Sequence, residues 1–330
     1  MIESYINNLF GNNSPEFAAL SLEAFCMQYQ NNPLYQNYSR LVHRHPGNVL
    51  NPEDIPFLPI SFFKTKKVHT LFPGENEKEE TVFESSGTTG ITTSRHYVYD
   101  TALYRRSFSN GFRERYGDPQ RWCILALLPS YLERNNSSLV YMVNGLMQQS
   151  GHPMNGFFLD EFDVLYQRLL QLEKQGQPTL LIGVSFALLD FSAAFPIALK
   201  HTVVMETGGM KGRGRELTRE ELHALLAERF GLAHIHSEYG MTELLSQSYA
   251  TQNGLFTPSK TMRVLLREQD DPLTVKASGR GALNIIDLAN IHSCCFIATE
   301  DAGRVYEDGC FEVLGRLDHA DARGCSMLAL

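Results

Sequence analysis

The chain has no apolar run approaching the ~20 residues that a membrane-spanning helix needs. Residues 1–30 alternate acidic, polar and apolar side chains without the apolar centre of a signal peptide. A basic surplus is also missing. With 29 Lys+Arg against 37 Asp+Glu the formal charge is -8, which argues against a nucleic-acid binder relying on a basic footprint. The six cysteines, Cys26, Cys123, Cys294, Cys295, Cys310 and Cys325, have neither C-x-x-C spacing nor the density of a secreted disulfide framework. A soluble, cytoplasmic protein with reduced thiols is expected, with no membrane and no nucleic-acid partner. There is no internal repeat, no low-complexity linker and no Walker A spacing of Gly-x-x-x-x-Gly-Lys-Ser/Thr.

What is present is ordinary globular composition: 43% hydrophobic, 20% charged and 11% aromatic residues over 330 positions. That excludes disorder, collagen and small stapled scaffolds. At about 150 residues per domain the length suggests two units, read here as subdomains at 1–250 and 251–330. Residues 14–41 have mostly helical apolar spacing, and a proline-marked loop follows. Strand-like and helical segments then alternate, with helices expected at 100–116, 137–149, 160–175, 186–195 and 218–230, and strands at 81–84, 97–99, 122–128, 179–183 and 202–206. Such alternation predicts an α/β fold with a largely parallel sheet covered on both faces. Beyond 254 the helical signal fades, and β-prone runs at 262–266, 282–288, 294–298 and 311–314 predict a β-rich subdomain.

Three short segments carry chemistry. Ser85-Ser86-Gly87-Thr88-Thr89-Gly90 combines two glycines, four hydroxyls and free backbone N–H groups, a composition suited to cradling phosphate oxygens or simply to a hairpin turn. Glu238-Tyr239-Gly240-Met241-Thr242-Glu243 places an aromatic ring, a hydroxyl and a carboxylate after a β-prone segment. Such a set can stack a base and hold Mg2+; the same residues also serve as core and helix-start residues elsewhere. Asp301 and Arg316 flank a β-prone segment with a turn at Asp308-Gly309 and can clamp a ribose or pair on a surface.

Taken together and in this order, the three segments resemble the adenylate-forming superfamily of acyl-CoA synthetases, aryl ligases, luciferases and peptide-adenylation domains. Phe62-Phe63-Lys64, Leu128-Pro129-Ser130-Tyr131-Leu132-Glu133-Arg134 and Arg323-Gly324-Cys325-Ser326 are more particularly similar to the LuxE-type acyl-protein synthetases of bacterial luminescence. The resemblance implies the large N-terminal domain of an acetyl-CoA-synthetase-like fold. It also implies ATP- and Mg2+-dependent activation of a carboxylic acid, of fatty type, with pyrophosphate release and transfer to a thiol. By resemblance, Ser85, Ser86, Gly87, Thr88, Thr89 and Gly90 hold the β- and γ-phosphates, Thr242 the α-phosphate region and Glu243 the metal. Tyr239 and Gly240 meet adenine, Gly208 and Gly209 line its edge, Asp301 accepts from the ribose hydroxyls, and Arg316 contacts ribose or phosphate. Catalysis is then positioning plus charge neutralisation.

The sequence departs from that family pattern in two places. The lysine that follows the phosphate loop in typical relatives is absent, leaving Arg95 as the nearby cation. After Arg316 only residues 317–330 remain, with no lysine among them, where typical relatives carry a mobile lid of about a hundred residues, an ordinary small-domain size. Lys64 and Lys211 are candidate replacements, or a partner polypeptide supplies the lid. Cys325 beside Arg323 is the candidate acyl acceptor, since a neighbouring cation favours thiolate; coenzyme A and a carrier protein are the alternatives. A catalytically impaired nucleotide- or acyl-binding relic is a second reading. A serine hydrolase is a third: Ser185 lies in Gly183-Val184-Ser185-Phe186-Ala187, but Ala187 replaces the second glycine of a nucleophile elbow.

Overall fold

At the N-terminal end of the chain two prolines and an asparagine divide the expected helical lead-in. In this computed structural model, which describes residues 2–11, 15–75, 80–85, 93–128, 136–208, 217–268 and 271–317, a first helix Ile2–Phe10 (α1) precedes Phe17–Asn31 (α2) and Pro33–Leu41 (α3). The break between α2 and α3 is chemical. Pro33 cannot continue a helix but suits its first position, and the Asn32 side chain caps the new helix by accepting from the Tyr35 N–H at 3.0 Å. A two-residue strand Leu58–Pro59 (β1) and one helical turn Phe62–Thr65 (α4) follow.

The antiparallel pair Thr81–Glu84 (β2) and Arg95–Val98 (β3) forms a separate hairpin in register Glu84↔Arg95. Next comes the α/β alternation: Thr101–Tyr116 (α5), Cys123–Leu127 (β4), Ser138–Ser150 (α6), Gly156–Phe158 (β5), Phe162–Gln175 (α7), Thr179–Val184 (β6), Ser185–Ala194 (α8), Thr202–Thr207 (β7), Arg219–Phe230 (α9) and His236–Tyr239 (β8). Local chemistry explains the boundaries. Asp100 and Ser137 cap α5 and α6 through Ala102 N–H and Val140 N–H, and Thr218 with Glu221 closes a capping box on α9. Strands β4 and β6 are buried at every position, as continuous apolar runs in a parallel sheet should be.

The remaining strands are Ser248–Ala250 (β9), Phe256–Pro258 (β10), Met262–Arg267 (β11), Val275–Lys276 (β12), Gly279–Asp287 (β13), Phe296–Val305 (β14) and Phe311–Arg316 (β15). Among the described residues all but the hairpin join one 13-stranded sheet, ordered β12-β11-β13-β14-β15-β10-β9-β8-β7-β6-β4-β5, with β1 beside β14. The segment β5-β4-β6-β7-β8 is parallel, and the rest of the path is antiparallel. The short strands β9 and β10 carry too few residues to give a periodic signal; they stitch the two halves together. Chain reversal at β8-β9 therefore brings the carboxyl ends of β7 and β8 near the β14-β15 hairpin. Ends of parallel strands at such a reversal are the usual place for a ligand crevice in open α/β sheets.

Candidate functional site

The site begins where β7 and β8 end. Gly208 follows β7 with φ +76°, a left-handed conformation that glycine adopts without strain. Its carbonyl accepts the Ser185 hydroxyl at 3.0 Å. The same hydroxyl lies 3.5 Å from Glu206 Oε2, and Glu206 Oε1 is 3.5 Å from Arg219 Nε and from His223 Nε2. Ser185 is therefore a buried structural donor bound to a carbonyl and an acid, not to an imidazole. That arrangement is not the nucleophile–base geometry that a hydrolase requires.

Tyr239 ends β8 with its ring packed against Phe256 and Phe311, at centroid distances of 5.7 and 5.3 Å. Its hydroxyl donates to Asp301 Oδ2 at 2.9 Å. Asp301 and Arg316 are direct cross-strand partners on β14 and β15, with Arg316 Nε 3.9 Å from Asp301 Oδ1. The aromatic residue and the acid-arginine pair, separate in sequence, thus form one cluster. Gly240 follows immediately. A Cβ there would stand 2.5 Å from Glu238 Oε1, so this position tolerates glycine alone without moving the acid.

Glu238 is buried on the other face of β8, where Thr207 Oγ1 donates to its Oε2 at 2.5 Å. Burial pushes its carboxyl up to about 7, against the Thr207 bond, with Glu206 adding repulsion. Glu243 is 4% exposed, and burial again raises its carboxyl above the usual range. The Ser94 hydroxyl donates to it, and the charges of Arg316 and Lys64 oppose the rise. A single carboxylate of this kind can hold a hard divalent ion only together with oxygens from elsewhere, such as phosphates. Among the described residues no group of three or more His, Cys, Asp or Glu forms an all-protein metal cage.

The backbone of this segment is clamped. His96 Nδ1 lies 2.8 Å from the Thr242 carbonyl and its Nε2 3.0 Å from Asn290 Oδ1, while Asn290 Nδ2 donates to the Glu243 carbonyl at 2.8 Å. Burial lowers the His96 imidazole to about 4. Beyond it, buried Asp287 accepts from the N–H groups of Leu245 and Ser246 at 2.7 and 3.0 Å.

Of the residues expected at the site, Tyr239, Gly240, Thr242, Glu243, Asp301 and Arg316 come together, with Gly208 at the neighbouring strand end. Ser85 closes the base of the β2-β3 hairpin: its N–H donates to the Ser94 carbonyl at 3.0 Å and its Oγ accepts from Ser94 N–H at 2.9 Å. Ser86, Gly87, Thr88, Thr89, Gly90, Gly209, Lys211 and Cys325 lie outside the described residues. Arg95, the expected loop cation, pairs across the hairpin with Glu84 at 3.0 Å. His96, Asn290, Ser94 and Asp287 carry no local sequence signal, because each acquires its role through partners far along the chain.

Among the described residues no helix is long and apolar enough to cross a membrane, and Cys26, Cys123, Cys294, Cys295 and Cys310 are free thiols. A family model described as acyl-protein synthetase, LuxE, matches residues 8–329. The long-chain-fatty-acid–luciferin-component ligase of Aliivibrio fischeri is 26% identical, with 92% of this chain and 85% of that protein covered. A luciferase-like enzyme from the Zophobas morio mealworm superposes with TM-score 0.53 at 17% identity, over 76% of this chain and 60% of its own. ATP-bound MatB from Rhodopseudomonas palustris gives TM-score 0.53 at 16% identity, over 74% and 50%. The chain therefore spans about half to three fifths of these solved neighbours, and the likeness extends to their fold.

Proposed function

Since the chain belongs to the LuxE acyl-protein synthetase family, we propose that it uses ATP and Mg2+ to activate a long-chain fatty acid and then passes the acyl group to a thiol. The observation that carries this reading is the single cluster made by Tyr239, Asp301 and Arg316 beside Glu243. It supplies an aromatic edge for adenine, an acid for the ribose hydroxyls and a carboxylate for the metal. Residues 1–250 then contribute the phosphate and adenine segments, and 251–330 the ribose pair.

In the first step the substrate carboxylate oxygen attacks the α-phosphorus of ATP. The bond to the β-phosphate oxygen breaks, and pyrophosphate leaves with the electron pair. Bound Mg2+ supplies charge neutralisation on the phosphates. The chain orients the nucleotide through Asp301 and Arg316, and Ser85, Ser86, Gly87, Thr88, Thr89 and Gly90 donate to the β- and γ-phosphates. Gly208 and Gly209 line the adenine edge, Gly240 lets the backbone approach, and Thr242 bonds near the α-phosphate. Lys64, whose charge acts on Glu243, or Lys211 takes the place of the missing lid lysine. In the second step a thiolate attacks the acyl carbon and AMP departs.

Cys325, a carrier protein or coenzyme A provides that thiol, and a partner polypeptide provides any lid. Need for ATP and the free thiols suit a cytoplasmic setting. ATP–pyrophosphate exchange with Mg2+, across fatty, short-chain and aromatic acids, tests the first step without an acceptor. Exchange dependent on long-chain acids is expected; no exchange alongside measurable ATP binding points to a lid-supplying partner or a relic, and no ATP binding either defeats the reading. Covalent acyl label surviving in Cys325→Ala defeats the terminal thiol.

A further inference from the structure

The residues that hold Glu243 in place lie outside the three polar segments singled out in the sequence. His96 lies on β3, the strand that returns from the Ser85-Ser86-Gly87-Thr88-Thr89-Gly90 loop, and Asn290 lies in the turn between β13 and β14. Both are 1% exposed. Together they bond the two successive carbonyls of Thr242 and Glu243, at 2.8 Å each, and stand 3.0 Å from each other. No helix or strand ladder satisfies these two carbonyls. Buried carbonyl groups need partners, and here both partners are side chains.

The clamp is itself anchored. Phe63 of α4 meets the His96 ring edge-on at 5.7 Å. The Asn290 turn is tied to the N-terminal helices: Gln28 Nε2 donates to the Ile291 carbonyl at 2.9 Å, Asn32 Nδ2 to the Ser293 carbonyl at 3.0 Å, and Tyr5 Oη to the Leu288 carbonyl at 3.0 Å. Asp287, three residues earlier, holds the N–H groups of Leu245 and Ser246. The segment 242–246 is therefore held through its carbonyls on one side and its N–H groups on the other. Ser94, two residues before His96, bonds the Glu243 carboxylate.

We propose that His96 and Asn290 are positioning residues that lock the Thr242–Glu243 backbone to strand β3 and to the β13-β14 turn, so that the Glu243 carboxylate is held in a fixed orientation toward its ligand. The role is not catalytic, since neither side chain needs to touch substrate. It rests on the proposed function for the identity of the ligand at Glu243, while the clamp itself stands on hydrogen bonds within the protein. Fixing a carboxylate's orientation through a second layer of hydrogen bonds commonly alters metal affinity by about 10- to 100-fold.

The test uses the full chain with His96→Phe, which keeps an aromatic ring against Phe63, along with Asn290→Ala and the milder His96→Gln, whose amide N–H can still reach the Thr242 carbonyl. Two readouts are taken: amide hydrogen exchange of residues 241–246, and Mn2+ binding in the presence of ATP. The expected result is about tenfold or greater loss of protection confined to 241–246, with β6 and β7 unchanged. Mn2+ affinity should fall by about tenfold or more, and His96→Gln should recover most of both. Unchanged protection in 241–246, or an equal loss throughout β6 and β7, overturns the proposal. If wild-type protein binds no Mn2+ with ATP, the ligand reading fails while exchange still decides the clamp. Should His96→Phe not fold, His96→Gln and Asn290→Ala decide the matter by the same criteria.

Discussion

The Tyr239 hydroxyl donates to Asp301 Oδ2 at 2.9 Å across 62 positions of sequence, joining the residue expected at adenine to the residue expected at ribose. The bond sets an aromatic residue and an acid relative to each other before any ligand binds. A hydrogen bond to a charged acceptor contributes about 1.5–3 kcal/mol. Tyr239→Phe keeps the packing on Phe256 and Phe311 and removes this bond alone. The expected outcome is an ATP KM raised by about tenfold, corresponding to about 1.4 kcal/mol, with kcat changed less. Steady-state exchange kinetics check it; an unchanged KM would separate the phenol from nucleotide binding.

Arg316 is 64% exposed along its side chain and stands 3.9 Å from Asp301. A pair with one exposed partner at this separation adds little to folding, about 1 kcal/mol or less. Arg316→Ala should therefore unfold at the same denaturant midpoint as wild type while its ATP KM rises. A shifted midpoint with unaltered KM would identify a structural arginine instead.

Glu243 carries a carboxyl raised by burial. A metal must displace the proton from such a group, so Mg2+ affinity falls as pH drops, and the fall begins at higher pH than for an exposed carboxylate. Half-saturating Mg2+ measured from about pH 5 to about pH 8 should decrease toward the alkaline end. Glu243→Gln should abolish Mg2+-dependent exchange. Retained exchange in that variant would remove Glu243 from the metal.

Glu238 has its carboxyl raised from 4.5 to about 7. The unfolded chain releases this proton first, so the folded state binds more protons between these values and stability falls as pH rises through that window, levelling above about 7. The full effect is up to roughly 3 kcal/mol. Glu238→Gln keeps an acceptor for the Thr207 hydroxyl and should flatten that limb of the stability profile, as read by denaturant unfolding at several pH values. An identical slope in the variant would show that Glu238 ionises normally.

The local levels of this protein were written in its sequence. Asp100, Ser137 and Thr218 announce helix starts, unbroken apolar runs announce β4 and β6, and the order of the three polar segments indicates nucleotide chemistry. These signals are local: capping and periodicity act over a few residues, so sequence neighbours suffice to express them. The division of the first helical stretch at Asn32-Pro33 was open to the same reasoning. Strands β9 and β10 were too short to declare themselves.

Only tertiary structure decided which side chains would meet. His96 and the Thr242 carbonyl are 146 positions apart, and His96 and Asn290 are 194 apart. No periodic pattern in the sequence spans such distances. The meeting of Asp301 with Arg316 depends on the β14-β15 register, and that of Asp301 with Tyr239 on the order of strands in the sheet. A buried His or Asn is ambiguous until its partners are known, because the same residue is a satisfied core group in one surrounding and a clamp on a distant backbone segment in another. The sequence determined the elements and the chemical groups available. The long-range packing of those elements selected which groups work as a unit.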